Sequence, residues 1–411
     1  MSSNLSEQSH HLAISGGPKI RDGKRFPPWP QYDEAERAAL SRVLESGKWG
    51  VTGAETEAFE KAFAEYHGAK HGIFMANGTV TLEAALAALG VGPGDEVIVP
   101  GLTWIATAMA VRYVGATPVF ADLDAATLAL DPASFEAAIT PRTKAVIPVH
   151  LYGTTADLDR ILAIAGKRGI AVVEDCAHMQ GGMWKGRGVG SWGAVGSFSF
   201  QQSKTLAGGE SGICLTNDDV LAERLYRFKH IGYSRYDEQG KAGTPPPAGL
   251  MCHNYRGLAI PALVLHEQLP GLSGLLKKYA EFVNTLAEMT RDIDGFRLQA
   301  PGRLATRQGY YGLVVVFDGP GWAKVPREKL AAALVAEGRG LGGTYGPVYK
   351  HLLFNMQPGE YRLADGGCPV CDHLCAHAFS MIHYTMYYQE TAVATAEIIR
   401  KISDHRKELE A

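Results

Sequence analysis

Gly196-Ser-Phe-Ser-Phe-Gln-Gln-Ser-Lys-Thr-Leu-Ala-Gly-Gly-Glu-Ser-Gly212 is the stretch on which the reading of this chain turns. Alternation from Ser197 to Gln201 predicts a strand, and the small, glycine-rich residues that follow predict a turn. Lys204 is held between the two. That arrangement presents one amine at a fixed point without crowding what it bonds. An amine that is buried and near other positive groups loses its proton more readily and can attack a carbonyl. A surface lysine in a strand–loop turn is the plain alternative, and the pieces upstream decide between the two.

Upstream, short apolar runs alternate with helical patterns. Strands are expected at His71–Ala76, Glu96–Pro100, Thr117–Ala121, Ala145–His150, Ile170–Glu174, Ala194–Phe200 and Ile213–Thr216. Helical patterns separate them at Val80–Leu89, Trp104–Tyr113, Pro132–Ala138 and Leu158–Lys167. Near-continuous apolar strands between helices predict an α/β fold whose mostly parallel sheet is covered on both faces. Residues 1–30 read as an N-terminal arm, 31–260 as a large cofactor-binding domain and 261–411 as a smaller C-terminal α+β domain. The small domain opens with a long helix from Ala262 to about Ile293. Two amphipathic helices flanking Gly50–Gly53 begin the large domain.

In such a sheet, ligands bind at the carboxyl ends of the strands, and three features fall there. Ala76-Asn-Gly-Thr-Val-Thr81 joins a strand to a helix: Gly78 permits close backbone approach, Thr79 can cap the helix, and the free amides of residues 78–80 would cradle a phosphate. Val172-Val-Glu-Asp-Cys-Ala-His178 ends a strand in acid, and a carboxylate such as Asp175 keeps a pyridine nitrogen protonated, making the ring an electron sink. His178 is within reach of the same ring's phenolic oxygen. Pro100-Gly-Leu-Thr-Trp-Ile105 puts Trp104 at the head of a helix, where its indole can stack on a ring. Each feature alone has an ordinary structural explanation. Together with Lys204 they imply pyridoxal phosphate, whose aldehyde is the natural partner of the amine.

Other classes are excluded by composition. A formal net charge of −3 over 411 residues offers no basic field for nucleic acid or anionic membrane. The apolar runs are strand-length and too short to span a bilayer. The polar segment Met1–His11 has no apolar signal region, and six cysteines without secretory features imply reduced thiols and a cytoplasmic protein. Cys368-Pro-Val-Cys-Asp-His-Leu-Cys-Ala-His377 invites a zinc reading with Cys368, Cys371, Cys375 and His377 as ligands. It lacks two separated ligand pairs, so no metal is expected.

The assembled pieces resemble the DegT/StrS family of sugar and cyclitol aminotransferases, fold-type I enzymes of pyridoxal phosphate. The resemblance runs from about Phe26 to the C-terminus and is carried by the lysine run, Glu174-Asp-Cys-Ala-His178, Pro100-Gly-Leu-Thr-Trp-Ile-Ala-Thr-Ala108 and His253-Asn-Tyr-Arg256. It implies that Lys204 bonds the cofactor, Asp175 binds the pyridine nitrogen and Trp104 stacks on the ring. It also implies that His178 lies near the phenolic oxygen and that Gly78, Thr79 and Ser199 bind the phosphate. Asn254 matches an asparagine that reaches the phosphate from the partner subunit, so a homodimer with shared sites is implied. Tyr345, Pro347, Tyr349, Lys350 and His383 match segments that face the acceptor.

Two branches are most similar: glutamine-dependent scyllo-inosose and 2-deoxy-scyllo-inosose aminotransferases, and 3-amino-5-hydroxybenzoate synthase. The expected activity is transfer of an amino group from an amino acid, L-glutamine by this resemblance, to a keto-cyclitol or keto-sugar in aminoglycoside-like secondary metabolism. The rivals are an aromatising synthase, a nucleotide-sugar aminotransferase and a non-catalytic regulator on the same scaffold. The chain departs from the family pattern at Gly209-Glu-Ser-Gly212 and at Gly257-Leu-Ala-Ile-Pro261, where Pro261 is expected to delay the start of the long helix.

Overall fold

The structure, a computed structural model, describes residues 11–20, 26–47, 49, 53–238 and 240–410. Residues 1–10 and 21–25 of the expected N-terminal arm, and residues 50–52 of the Gly50–Gly53 turn, lie outside these. Each apolar run meets a strand: β1 (His71–Met75), β2 (Glu96–Pro100), β3 (Thr117–Ala121), β4 (Thr143–Val146), β5 (Ala171–Asp175), β8 (Val195–Ser199) and β9 (Gly212–Thr216), although β4 starts two residues before the expected Ala145–His150 and stops at Val146. The two-residue strands β6 (Met183–Trp184) and β7 (Arg187–Gly188) form a small hairpin between β5 and β8.

Eight strands make the large sheet in the order β1-β9-β8-β5-β4-β2-β3-β14, where β14 is Arg362–Leu363. Every pair from β8 to β14 is parallel, whereas β9 runs antiparallel to both its neighbours. β2, β8 and β9 are buried along their whole length, as the near-continuous apolar runs require. The helices Gly78–Ala88, Pro132–Ala138, Leu158–Arg168 and Asp219–Lys229 each start from an asparagine or aspartate whose side chain accepts a backbone N–H. These caps satisfy backbone N–H groups at the helix starts, while the parallel pairing of β8, β5, β4, β2 and β3 puts the ends of those strands at one rim of the sheet.

The C-terminal part is built on a second sheet, β10-β12-β15-β13, from β10 (Phe296–Leu298), β12 (Gly312–Phe317), β13 (Gly342–Gly343) and β15 (Ala378–Ile382). β11 (Ala305–Arg307) pairs with β6. The helices Leu272–Thr290 and Gln389–Asp404 cover the second sheet, burying Tyr279, Phe282, Ile398, Ile399 and Ile402. The chain then crosses back: β14 adds a parallel edge to β3, and the Val348 amide donates to the Gly101 carbonyl.

Two expectations change here. The long helix is not continuous: Ala259–Gln268 and Leu272–Thr290 are separated by a 3-10 turn at Leu269–Gly271, where Pro270 interrupts the hydrogen-bond ladder. Pro261 does not delay the start either. It sits in the first turn of Ala259–Gln268, where its missing N–H would have had no intrahelical acceptor.

Two fully buried imidazoles tie distant segments together in their neutral form. His67 donates from Nδ1 to the Val189 carbonyl (2.8 Å) and accepts the Gly181 amide at Nε2 (3.3 Å). His383 donates from Nε2 to the Ser203 carbonyl (2.9 Å) and accepts the Tyr279 hydroxyl at Nδ1 (3.1 Å). Burial draws both from the ordinary histidine value of 6.5 to about 4. The unfolded chain therefore binds more protons between these values, and stability falls as pH drops through that window. Urea titrations at pH 7.5 and pH 5 should differ by ~2 kcal/mol per imidazole. Asparagine at either position should remove that histidine's share of the pH dependence.

Candidate active site

Lys204 follows β8 by a single tight turn. Its amide donates to the Gln201 carbonyl (2.8 Å), the Gln201 side chain accepts the Ser203 amide (2.8 Å), and Trp29 Nε1 donates to the Lys204 carbonyl (3.1 Å). With its backbone tied on three sides, the side chain enters a cleft of ≈ 1040 Å³ at the strand-end rim. Gly78, Thr79, Trp104, Asp175, His178, Ser199 and Lys204 all line this one cleft. Asn254 does not; it is exposed and its backbone bridges to His230.

Burial draws the Lys204 ammonium from 10.5 to about 8, and Asp175 and Glu210 partly oppose that shift. The expectation of positive neighbours is thus corrected: the charged groups acting on the amine are carboxylates, and desolvation alone depresses it. The amine also lies 4.5 Å from the ring centre of Tyr311.

Asp175 is the last residue of β5, and Ser197 of β8 pairs with it. Its Oδ2 accepts the Thr107 hydroxyl (2.8 Å) and its Oδ1 the Ala177 amide (3.1 Å). Burial raises its pKa; the Thr107 and Ala177 hydrogen bonds and the Lys204 charge hold it down only in part. Beside it in sequence, Glu174 faces the other side of the sheet and accepts the amides of Gly190, Trp192 and Gly193 together with His150 Nε2. Burial pushes Glu174 up as well, but these four donors outweigh it and hold the group below the ordinary carboxylate range.

His178 is buried under Tyr311, which stacks on it at 3.8 Å and 12°. Its Nδ1 accepts the Tyr152 amide (3.2 Å), so the proton sits on Nε2, 3.4 Å from the Tyr345 hydroxyl. Burial, then the Lys204 charge, keep the ring neutral. Trp104, 49% exposed, forms one wall and meets the Tyr345 ring edge-on at 5.3 Å.

The predicted phosphate loop needs correcting. Asn77, not Thr79, caps the helix: its Oδ1 takes the amides of both Thr79 and Val80 (3.1 and 3.0 Å). Those two amides are spent, which leaves the Gly78 amide and the Thr79 and Ser199 hydroxyls as groups that could receive an anion. A Cβ on Gly78 would sit 2.6 Å from that of Ser199, so only glycine permits this approach.

Tyr311, Thr107, Gln201 and Glu210 also line the cleft but were not found from sequence. Tyr345 lines it too, whereas Tyr349 and Lys350 turn to Asp372 (2.9 and 2.7 Å). Cys368, Cys371 and Cys375 lie at and along the helix Pro369–His377, while His377 Nδ1 faces the His373 carbonyl. Among the described residues, His150, Glu174 and Cys176 are the only grouping with metal-ligand spacing. Both nitrogens of His150 and both oxygens of Glu174 are already bonded to protein.

Holding a protonated amine partly out of water is unfavourable, so Lys204 is expected to destabilise the cofactor-free fold. Lys204→Met should raise its unfolding free energy at pH 7 by about 1–3 kcal/mol. The gap should close as pH rises from about 8 toward 10.5, because the native amine sheds its proton first. Chemical denaturation of the two proteins across that range measures it.

Residues 30–400 match the model of the DegT/DnrJ/EryC1/StrS aminotransferase family. The chain is 37% identical to L-glutamine:2-deoxy-scyllo-inosose aminotransferase of Streptomyces kanamyceticus, over 98% of this chain and 99% of that one. It is 39% identical to L-glutamine:scyllo-inosose aminotransferase of Streptomyces griseus, over 79% and 78%. Among solved structures, 3-amino-5-hydroxybenzoic acid synthase superposes with a TM-score of 0.83 at 32% identity, covering 94% of this chain and all of that one. Sequence, fold and the cleft around Lys204 agree: the chain belongs to the DegT/DnrJ/EryC1/StrS aminotransferases, enzymes of pyridoxal phosphate.

Proposed function

We propose that this enzyme moves the amino group of L-glutamine to a keto-cyclitol, and that it works as a cytoplasmic homodimer with shared sites. The observation that carries the substrate reading is the 37% identity, along 98% of the chain, to a relative named for that donor and acceptor. The cleft supports it. Besides Lys204 its charged lining is carboxylate, from Glu83, Asp175 and Glu210. A neutral polyhydroxylated ketone suits that lining better than a diphosphate, which arginines would be expected to grip.

The residues fit pyridoxal phosphate. Gly78, Thr79 and Ser199 would hold its phosphate, Asp175 its ring nitrogen and Lys204 its aldehyde carbon. Trp104 would flank the ring, with His178 toward the phenolic oxygen. When bound, the cofactor supplies an electron sink for the carbanion at the donor's α-carbon. Lys204 Nζ takes the proton from that carbon and, in the second half of the cycle, delivers one to the former ketone carbon. A pKa of about 8 suits both directions near neutrality. Neutral His178 orients without competing for that proton, and Tyr311 closes over the imidazole and so limits water.

Two observations support the dimer. Asn254 is exposed outside its own chain's cleft, and it is flanked by apolar Met251 (75% exposed) and Leu258 (52%). A cytoplasmic setting accords with six unpaired cysteines, four of them buried. No helix among the described residues is long and apolar enough to cross a membrane.

Borohydride reduction after incubation with pyridoxal phosphate should leave a phosphopyridoxyl group on the Lys204 peptide. Its appearance on another lysine would show that the site is misassigned. Enzyme charged with L-glutamine, then stripped of it by gel filtration, should aminate scyllo-inosose or 2-deoxy-scyllo-inosose, read by mass spectrometry. Transfer only to a nucleotide-linked keto-sugar would reject the cyclitol reading.

Asn254→Ala should weaken cofactor binding by about 1.5–3 kcal/mol, the worth of one hydrogen bond to a charged group. At limiting cofactor, Lys204→Ala and Asn254→Ala chains co-expressed should recover about a quarter of wild-type activity, since half the dimers carry one intact site. Absence of any recovery would place Asn254 outside a shared site.

A further inference from the structure

Asp175 is held by a chain of two hydroxyls from the Pro100–Ala108 segment, neither of which has been given a role above. Thr107 donates to Asp175 Oδ2 at 2.8 Å, and Thr103 Oγ1 lies 2.9 Å from Thr107 Oγ1. A hydroxyl has one proton. That of Thr107 goes to the carboxylate, so Thr103 is the donor in the second contact. The chain is therefore polarised toward Asp175, and each link strengthens the next. All three residues are nearly sealed from solvent: Thr103 is 2%, Thr107 1% and Asp175 5% exposed.

Three other buried helical threonines behave differently. The hydroxyls of Thr81, Thr290 and Thr395 turn back to the carbonyls of Gly78, Leu286 and Thr391, three or four residues earlier. That is the ordinary way to satisfy such a group. Thr107 sits in the first turn of the helix Ala106–Tyr113, and its own amide donates to the Trp104 carbonyl. Its hydroxyl forgoes the local solution and crosses to β5 instead.

We propose that Thr107, backed by Thr103, is the positioning residue that fixes the Asp175 carboxylate and keeps it ionised at the ring-nitrogen end of the cleft. This rests on the reading of the cleft as a pyridoxal phosphate site. The groups around Asp175 explain why such a device is needed. Of its neighbours in the chain, Glu174 is ionised but turned to the other face of the sheet, and Cys176 is held as the neutral thiol by burial, so neither supports the Asp175 charge. His150 donates to Glu174, and His178 is neutral. Lys204 favours the carboxylate only while it carries its proton, which it gives up and regains during turnover. The Thr107 hydroxyl and the Ala177 amide are the supports whose charge never changes. One short segment thus supplies both the Trp104 wall and the anchor of the opposing carboxylate.

The experiment follows the Asp175 carboxyl by NMR in cofactor-free protein carrying 13C-carboxyl aspartate, with the resonance identified by its loss in Asp175→Asn. Thr107→Val keeps the shape and removes the hydroxyl. It should raise the titration midpoint by roughly one to two pH units, the value of one hydrogen bond to a charged group. Thr107→Ser should return it to the wild-type value, and Thr103→Val should give a smaller rise. In enzyme loaded with pyridoxal phosphate, Thr107→Val should lower kcat by roughly 10–100-fold with little change in KM for L-glutamine.

An unchanged midpoint in a Thr107→Val protein that unfolds at the wild-type temperature would overturn the positioning role, as would a serine variant that fails to restore it. Should valine prevent folding, Thr103→Val and Thr107→Ser still decide by the same midpoints. A shifted midpoint in protein that takes up no pyridoxal phosphate would sustain the role of Thr107 and remove the cofactor reading instead.

Discussion

A carboxylate kept from water is costly unless its lone pairs are used, and Glu174 uses its own on four donors from three directions. Gly190, Trp192 and Gly193 belong to the turn that feeds β8, while His150 ends the segment after β4. Glu174 therefore locks together three neighbouring strand ends in the middle of the sheet. Side chains alternate along a strand, so anchoring Glu174 on one face commits Asp175 to the other, toward the cleft. The parallel pairing of β5 with β8 then carries Lys204 out at the same rim. Acid and amine meet because a neighbouring acid is fully satisfied.

The contrast between the two carboxylates is itself informative. Glu174 has every lone-pair direction occupied and serves architecture. Asp175 has two donors, no committed cation, and a raised pKa, which is the condition of a group with capacity left for a ligand. Lys204 shows the same economy: nothing cationic presses on it, and withdrawal from water alone prepares the amine. Site and scaffold here are built from the same residue types, distinguished by how completely each is satisfied.

How much of this was legible in the sequence depended on range. Apolar runs announced the buried strands because a parallel sheet must be greasy on both faces, and Lys204, Asp175, Ser199 and Trp104 sat at strand ends that such runs delimit. Local competition was harder to see. Asn77 and Thr79 are both good caps, and only the geometry shows that Asn77 takes the amides assigned to a phosphate. Pro261 read as an obstacle because composition does not reveal which turn of a helix it occupies. Tyr311 and Tyr345 come from segments more than a hundred residues beyond Lys204, and no spacing rule joins them to it. β14 is two residues long and has no period to detect. The Thr107 hydroxyl was invisible for a related reason: a threonine in a first helical turn looks the same whether it bonds its own helix or another strand.

The two extremities of the described chain are sewn to each other. The Leu12 amide and His11 Nδ1 both meet the Glu408 carboxylate (3.2 and 3.1 Å), Ala13 donates to buried Glu337 (2.8 Å), and Leu12 is fully enclosed in the C-terminal core. Residues 11–13 and Glu408 lie nearly four hundred positions apart, 397 for His11 and 396 for Leu12. The β1–β9 sheet can close during synthesis, but the second core cannot be completed until its earliest residues find its latest ones. This closure spans nearly all of the described residues, and contacts of such separation are the most expensive kind in loop entropy. Removing residues 11–13 would uncover the apolar core surface that Leu12 closes, the kind of surface that chaperones bind.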